Sequence, residues 1–389
     1  MNWFEYEADS AYPLRRCGPI HVRRQPSAWI RFVHRTCEHA RFARPVPFIP
    51  RSTLNLFMLP SFRYLGRTGV KVSPLCFGTM SFGDIADRET SASMFHRCRD
   101  AGVNMFDCAN VYAGGTSEEI LGDLIADCRD EIVLTTKAYF PMGEGPNQRG
   151  SSRYHLVRSV ENSLRRLQTD RIDVFFVHRF DDETDLHETL RTLDDLVQQG
   201  KVLYLGASNF AAWQVAKSLG VQSQNGWSPF HVIQPMYNLT KRQAEVEILP
   251  MAASESLAVT PYSPLGGGLL TGKYGIRKRP DGGRLVENEM YQTRYGDAVH
   301  YEVAERFTEF AADNGYDPVS LAVAWVAHHP AVTAPIIGAR NAEQLEGSLG
   351  ALDVDMTPAL REEISALAPA PPPATDRIEE RTEHTYGNR

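Results

Sequence analysis

Several protein classes are excluded by what this chain lacks. It contains no Gly-x-Gly-x-x-Gly run between a first strand and helix, which a doubly wound dinucleotide-binding sheet requires. It has no His-Glu-x-x-His or His-x-His, and His328 and His329 are neighbours whose side chains diverge. A metal centre on local histidine spacing is therefore not expected, and that pair reads as helix-end polar residues. The six cysteines, Cys17, Cys37, Cys76, Cys98, Cys108 and Cys128, show no Cys-x-x-Cys spacing and are too sparse for a disulfide scaffold. Free thiols in a reducing compartment are expected. No apolar stretch approaches the roughly 20 residues that cross a bilayer, and the N-terminus lacks a signal-peptide core. These absences point to a cytoplasmic protein without a membrane partner. Excess positive charge is missing too: a net charge of -7 and a pI near 6.0 give no support for a nucleic-acid partner. Local cations for phosphate remain open.

With 389 residues, 42% apolar and 23% charged, the composition suits an ordinary packed core and one barrel of about 250 to 300 residues with extensions. Residues 1 to about 57 differ from the rest, with nine arginines from Arg15 to Arg51, scattered prolines and no sustained period. Acids at Glu5, Glu7 and Asp9 argue against a transit peptide. We read 1–57 as a disordered extension or as residues upstream of a working start at Met58. The barrel is expected over 58–368, and a flexible Pro-rich tail over 369–389, with Pro369, Pro371, Pro372 and Pro373 at its start.

Strand-like runs recur at 75–79, 104–109, 132–137, 172–178, 202–208, 232–237, 259–263 and 332–338, with helical stretches such as 152–167 and 185–199 between them. Near-continuous apolar strands separated by amphipathic helices indicate a parallel sheet buried on both faces. Eight βα units favour closure, so the fold class is α/β, a (β/α)8 TIM barrel. In that fold the C-terminal strand ends converge on one mouth.

Asp107, Tyr112, Lys137 and His178 all fall at or just past such strand ends. A phenol near its ordinary pKa of about 10 is a reluctant proton donor at neutral pH. A nearby ammonium held by a carboxylate stabilises phenolate, and an imidazole can orient a carbonyl or relay a proton. Singly each is more often a solvated or capping residue; together they supply the parts of a proton donor. Lys137 alone could instead form a Schiff base, which keeps an aldolase-type lyase open. Ser208 and Asn209 read equally well as helix caps, Tyr262 equally well as core, and Arg340 as a solvated cation.

Residues 106–122, Phe-Asp-Cys-Ala-Asn-Val-Tyr-Ala-Gly-Gly-Thr-Ser-Glu-Glu-Ile-Leu-Gly, resemble the signature region of the aldo-keto reductases. Further matches follow in order: Thr136-Lys137, Ser163 through Leu167, Asp170 through Asp173, His178, Gly200-Lys201-Val202, Gly206 through Phe210, and Tyr262 through Gly266. The resemblance runs from about 62 to 367 and is closest to the aryl-alcohol-dehydrogenase-like and potassium-channel beta-subunit-like branch. It implies a barrel enzyme that binds NADPH without a Rossmann motif and reduces a small-molecule aldehyde or ketone. By position it makes Tyr112 the general acid, tuned by Lys137 and Asp107, with His178 orienting the carbonyl.

The same resemblance places Ser208, Asn209, Gln234 and Tyr262 at the nicotinamide, and counts Gly78 and Thr79 among the cofactor-binding residues. It sets Ser263, Leu265, Gly266, Lys273 and Arg284 along the pyrophosphate, and Gly338, Arg340 and Gln344 at the adenosine phosphate, where a guanidinium suits a 2′-phosphate and favours NADPH over NADH. Two departures stand out. Gly347 and Ser348 replace an acid and an asparagine that contact adenine in relatives, and Cys108 replaces a threonine, placing a thiol that oxidation could reach. A regulatory subunit like the channel beta subunits is the alternative function. Specificity is expected in Tyr139, Phe140, Arg179, Phe180 and residues 275–296, whose cations Arg277, Lys278 and Arg279 either close over the cofactor or face solvent.

Overall fold

The computed structural model describes residues 61–381. The expected extension at 1–57 and the last eight residues of the tail lie outside them. The chain opens with an antiparallel hairpin, β1 (Arg63–Tyr64) and β2 (Lys71–Val72). Eight parallel strands follow: β3 (Cys76–Gly78), β4 (Met105–Asp107), β5 (Val133–Ala138), β6 (Ile172–Val177), β7 (Val202–Ser208), β8 (Phe230–Gln234), β9 (Ala258–Val259) and β10 (Ile336–Ile337). Their order is β10-β3-β4-β5-β6-β7-β8-β9. The ring closes where Thr333 N donates to Val259 O at 2.8 Å and Ile336 N to Pro261 O at 2.8 Å. The fold is the (β/α)8 barrel.

All eight expected strands are present, but the last two shorten to a pair of residues each. Pro261 and Pro335 sit inside the runs read from sequence, and a residue without an N–H cannot donate to a ladder. The helices in chain order are α1 (Arg88–Asp100), α2 (Thr116–Ile125), α3 (Arg153–Leu167), α4 (Leu186–Gln198), α5 (Ala212–Asn225) and α6 (Ile248–Ser254). Four more, α7 (Arg284–Glu287), α8 (Glu289–Tyr295), α9 (Ala298–Asp313) and α10 (Pro318–Ala327), lie between β9 and β10. After β10 come α11 (Ala342–Leu349) and α12 (Pro358–Ala366). Ser152 and Asp185 cap α3 and α4 by accepting from His155 N and His187 N, which is why the helical stretches begin there. His328 is the C-cap of α10, as its helix-end reading anticipated. No helix among the described residues is long and apolar enough to cross a membrane.

The period of two along each strand positions the site. Phe77, Phe106, Leu134, Phe175 and Val177 point outward into one apolar layer with the helices. Cys76, Met105, Val133, Val174, Phe176 and Val232 point inward and meet Leu65 and Val72 of the hairpin, which floors the barrel. Arg63 fastens that floor by donating to Ala327 O at 2.9 Å and Thr333 O at 3.0 Å. Gly206 makes room for Phe176, since a Cβ there would lie 2.4 Å from the ring. Continuing the inward phase toward the mouth gives Asp107 after Met105, Lys137 after Val133, His178 after Phe176 and Gln234 after Val232. Apolar residues fill the floor and polar ones reach the mouth by the same alternation.

Candidate active site

Lys137 is fully buried and Asp107 is 2% exposed. The ammonium donates to Asp107 Oδ2 at 2.5 Å, to Cys108 O at 2.7 Å and, at 3.4 Å, to the Tyr112 hydroxyl. The other carboxylate oxygen, Asp107 Oδ1, accepts from Thr135 Oγ1 at 2.7 Å and Gln234 Nε2 at 2.9 Å. A buried ion pair is tolerable only when its remaining donors and acceptors are satisfied, and these bonds satisfy them. Burial works against the Lys137 charge, but Asp107 and then Tyr112 raise its pKa above the ordinary lysine value. A lysine so anchored and protonated does not suit a Schiff base, which needs a neutral amine free to attack.

Tyr112 opens a short 3-10 turn, Tyr112–Gly115, reached through residues 108–111 after β4. The expected acidification of its phenol is not found. Burial pushes the hydroxyl up to about 12; Lys137 pulls the other way, but from 3.4 Å it does not win, and the Asp107 charge adds to the rise. Tyr112 is thus a fully protonated phenol at neutral pH. His178 meets it edge-on, ring centroids 6.2 Å apart, and packs likewise against Phe140 at 4.9 Å. Burial, then the Lys137 charge, holds the imidazole well below the ordinary histidine range, so it is neutral and donates one N–H. Its Nδ1 has no partner among the described residues.

The opposite wall comes from β7 and β8. Ser208 Oγ donates to Gln234 O at 3.0 Å. Asn209, with φ of 57°, donates from Nδ2 to His178 O at 2.9 Å and accepts at Oδ1 from the Tyr262 hydroxyl at 2.7 Å. The helix after β7 starts at Ala212 with Ala211 as its cap, so neither Ser208 nor Asn209 is a cap. Asn209 ties Tyr262 to the strand end that carries His178.

A cavity of about 1000 Å³ runs from Asp107, Tyr112 and His178 past Ser208, Asn209, Gln234 and Tyr262 to Arg340 and Gln344. Gly78, Ser263, Leu265, Lys273, Arg284 and Gly338 also line it. Two of the expected nucleotide residues do not, and the fully buried Lys137 does not reach it either. Thr79 is buried behind the wall, its hydroxyl donating to Asp107 O at 3.1 Å, and Gly266 is buried beneath the loop whose next residues, Gly267 and Gly268, face the cavity. Met290, Tyr291 and Arg294 of α8 line it, within the segment 275–296 expected to set specificity; that long connection has no period to mark which of its residues face in. The cations at 277–279 turn elsewhere: Lys278 Nζ donates to Gly272 O and Arg279 lies 3.6 Å over the Tyr301 ring. Phe140 and Arg179 line the cavity as expected of specificity positions, whereas Tyr139 and Phe180 do not.

The aldo/keto reductase family model matches residues 74–368. The chain belongs to the aldo/keto reductase family. It is 36% identical over 328 residues to the uncharacterized oxidoreductase YrpG of Bacillus subtilis, covering 80% of this chain and 96% of that protein. It is 35% identical over 325 residues to a probable voltage-gated potassium channel subunit beta of Oryza sativa, 81% of this chain and 98% of that one. It is also 36% identical over 321 residues to a norsolorinic acid reductase of Aspergillus flavus, with 78% and 79% covered. Family membership makes the chain an oxidoreductase.

Within this aldo/keto reductase, the two departures have structural consequences. Cys108 is fully buried, its Sγ 3.3 Å from Ser117 Oγ, and burial raises the thiol to about 12. A thiol that does not ionise is a poor target for oxidation, so the expected sensitivity is not supported. Cys108 serves through its carbonyl, which receives Lys137. Gly347 packs against α10, where a Cβ would come within 3.1 Å of Val319, while Ser348 and Asp317 line the same end of the cavity. Small residues there widen the end of the cavity beyond Arg340.

Proposed function

We propose that this protein reduces an aldehyde or ketone to the alcohol, with NADPH as the hydride source and Tyr112 as the proton donor. The observation that carries the reading is a phenol hydroxyl resting on a buried Lys137–Asp107 pair at one end of a cavity, with Lys273, Arg284 and Arg340 toward the other. None of those three cations has a carboxylate partner among the described residues, which fits an anionic ligand with a phosphorylated end. The left-handed Gly267 fits as well: a Cβ there would lie 2.7 Å from Tyr291 and crowd the loop.

When bound, NADPH supplies the hydride. Ser208 and Oε1 of Gln234 would hold its carboxamide, Tyr262 would offer its ring as an aromatic platform, and Lys273, Arg284 and Arg340 would hold the phosphates. Neutral His178 donates its N–H to the carbonyl oxygen and fixes its direction. Tyr112 gives its proton to that oxygen, and the phenolate left behind is held by the Lys137 ammonium. A phenol at about 12 remains acidic enough for this step, because an alkoxide is a stronger base than a phenolate. The substrate is a small carbonyl compound, and the protein works without a nucleic-acid or membrane partner in the cytoplasm.

The test is NADPH consumption by the purified protein across aromatic and aliphatic aldehydes. Turnover of any is expected; nucleotide binding with no turnover of all would contradict the catalytic half. The rice relative named as a channel subunit supports a second reading, a nucleotide-bound regulatory subunit. One slow turnover with product nucleotide retained, together with capture of a membrane-protein partner in a native pull-down, would favour it.

A further inference from the structure

The Tyr112 turn holds an unfavourable backbone. Ala113, Gly114 and Gly115 have φ of 47°, 63° and 107°, three successive left-handed residues, and Ala113 carries a Cβ that disfavours that region. Such a turn persists only if something beyond its own hydrogen bonds fixes it. The first turn of α2, immediately after it, supplies two fully buried polar side chains, Ser117 and Glu118. Ser117 Oγ donates to Thr79 O at 2.8 Å, and Thr79 N donates to Asp107 O at 2.8 Å, fastening α2 to the end of the catalytic strand β4.

Glu118 accepts from Thr136 Oγ1 at 2.5 Å and from Arg166 Nε, on α3, at 2.7 Å. Thr136 directly precedes Lys137, and alternation puts its side chain on the outer face of β5 while Lys137 faces inward. The Tyr112 segment therefore grips β5 on both sides: through Glu118 outside, and through the phenol–ammonium contact inside. Arg166 adds a prop, since its Cδ lies 2.9 Å from where a Gly115 Cβ would stand.

We propose that Glu118, locked by Thr136 and Arg166, is a positioning residue that holds the Tyr112 hydroxyl at the Lys137 ammonium. It touches neither substrate nor cofactor and acts through the left-handed turn. The inference rests on Tyr112 being the proton donor. Turnover by the wild-type protein and its loss in Tyr112→Phe test that separately.

The experiment compares Thr136→Val, which removes the hydroxyl at nearly constant shape, with Thr136→Ser, which keeps it, and with Glu118→Gln. For Thr136→Val and Glu118→Gln, kcat should fall roughly tenfold to a hundredfold, the loss that a displacement near 1 Å brings. KM for the aldehyde and the NADPH dissociation constant should stay within about twofold, because those contacts lie elsewhere. Thr136→Ser should retain wild-type kcat, a rescue that general loosening would not give. Unchanged kcat in Thr136→Val would overturn the proposal, as would equal losses in the valine and serine variants or a rise in KM that accounts for the whole effect. Should Glu118→Gln fail to fold, the Thr136 pair decides alone.

Discussion

Lys137 and Asp107 are each other's reason for being ionised inside the barrel. Lys137→Met leaves a buried carboxylate facing only Thr135 and Gln234, and breaking such a pair costs about 3 to 5 kcal/mol. The double change Lys137→Met with Asp107→Asn should recover most of that stability in a denaturant titration while turnover stays lost. If Lys137→Met proves as stable as wild type, the pair is not the clamp described. At the same scale, His178 is expected to remain neutral at pH 6. Its carbon-bound ring protons, followed by NMR, should not titrate near 6.5, and a transition there would contradict the burial-driven depression. That Asp107, Tyr112, Lys137 and His178 gather at one mouth was legible from residue type and strand-end placement. The raised phenol was not, since an ammonium neighbour is visible in sequence and the amount of burial opposing it is not. Asn209 shows the same limit, as its role depends on Tyr262, 53 positions away.

Among the elements, α11 carries the nucleotide prediction. Asn341 caps it by accepting from Gln344 N at 2.9 Å, which fixes the segment 338–340 leaving β10 so that Arg340 lines the cavity. Arg340→Gln should raise the KM for NADPH and leave that for NADH nearly unchanged, shrinking the preference by roughly 10- to 100-fold, the worth of charge-assisted bonds to a phosphate. An unaltered ratio of kcat/KM values for the two nucleotides would place the 2′-phosphate elsewhere. Helices α3 and α4 were readable to within a residue because their caps and amphipathic faces are local. Strands β9 and β10 were overextended, since apolar runs do not reveal where Pro261 and Pro335 end the ladder. Segment 275–296 was expected to shape the site, but the helix α8 within it and the residues it turns inward were not readable, because which face of a short helix in a long connection turns inward is settled by tertiary packing.

Across the whole molecule, barrel closure explains why residues between 78 and 348 share one cavity, and the eightfold alternation of strand and helix made that closure readable. The fold also buries histidines in neutral form: His155, His178, His231, His300 and His329 are all depressed, chiefly by burial, with His231 and His329 lowered to about 4. Between their folded values and about 6.5, the unfolded chain binds more protons than the native one, so stability falls as pH drops. Melting temperature should decline from pH 7 to pH 5, above the range where carboxylates titrate. A flat profile over that interval would mean that these imidazoles are protonated in the fold.

The central claim is that the Tyr112 hydroxyl supplies the proton from its seat on Lys137. The most direct test removes that oxygen alone and measures single-turnover oxidation of bound NADPH by an aldehyde, beside nucleotide affinity from fluorescence quenching. Tyr112→Phe should bind NADPH as tightly as wild type and lose at least about a hundredfold in rate, the lower end of what a general acid contributes. A Tyr112→Phe protein that oxidises NADPH at the wild-type rate would contradict it.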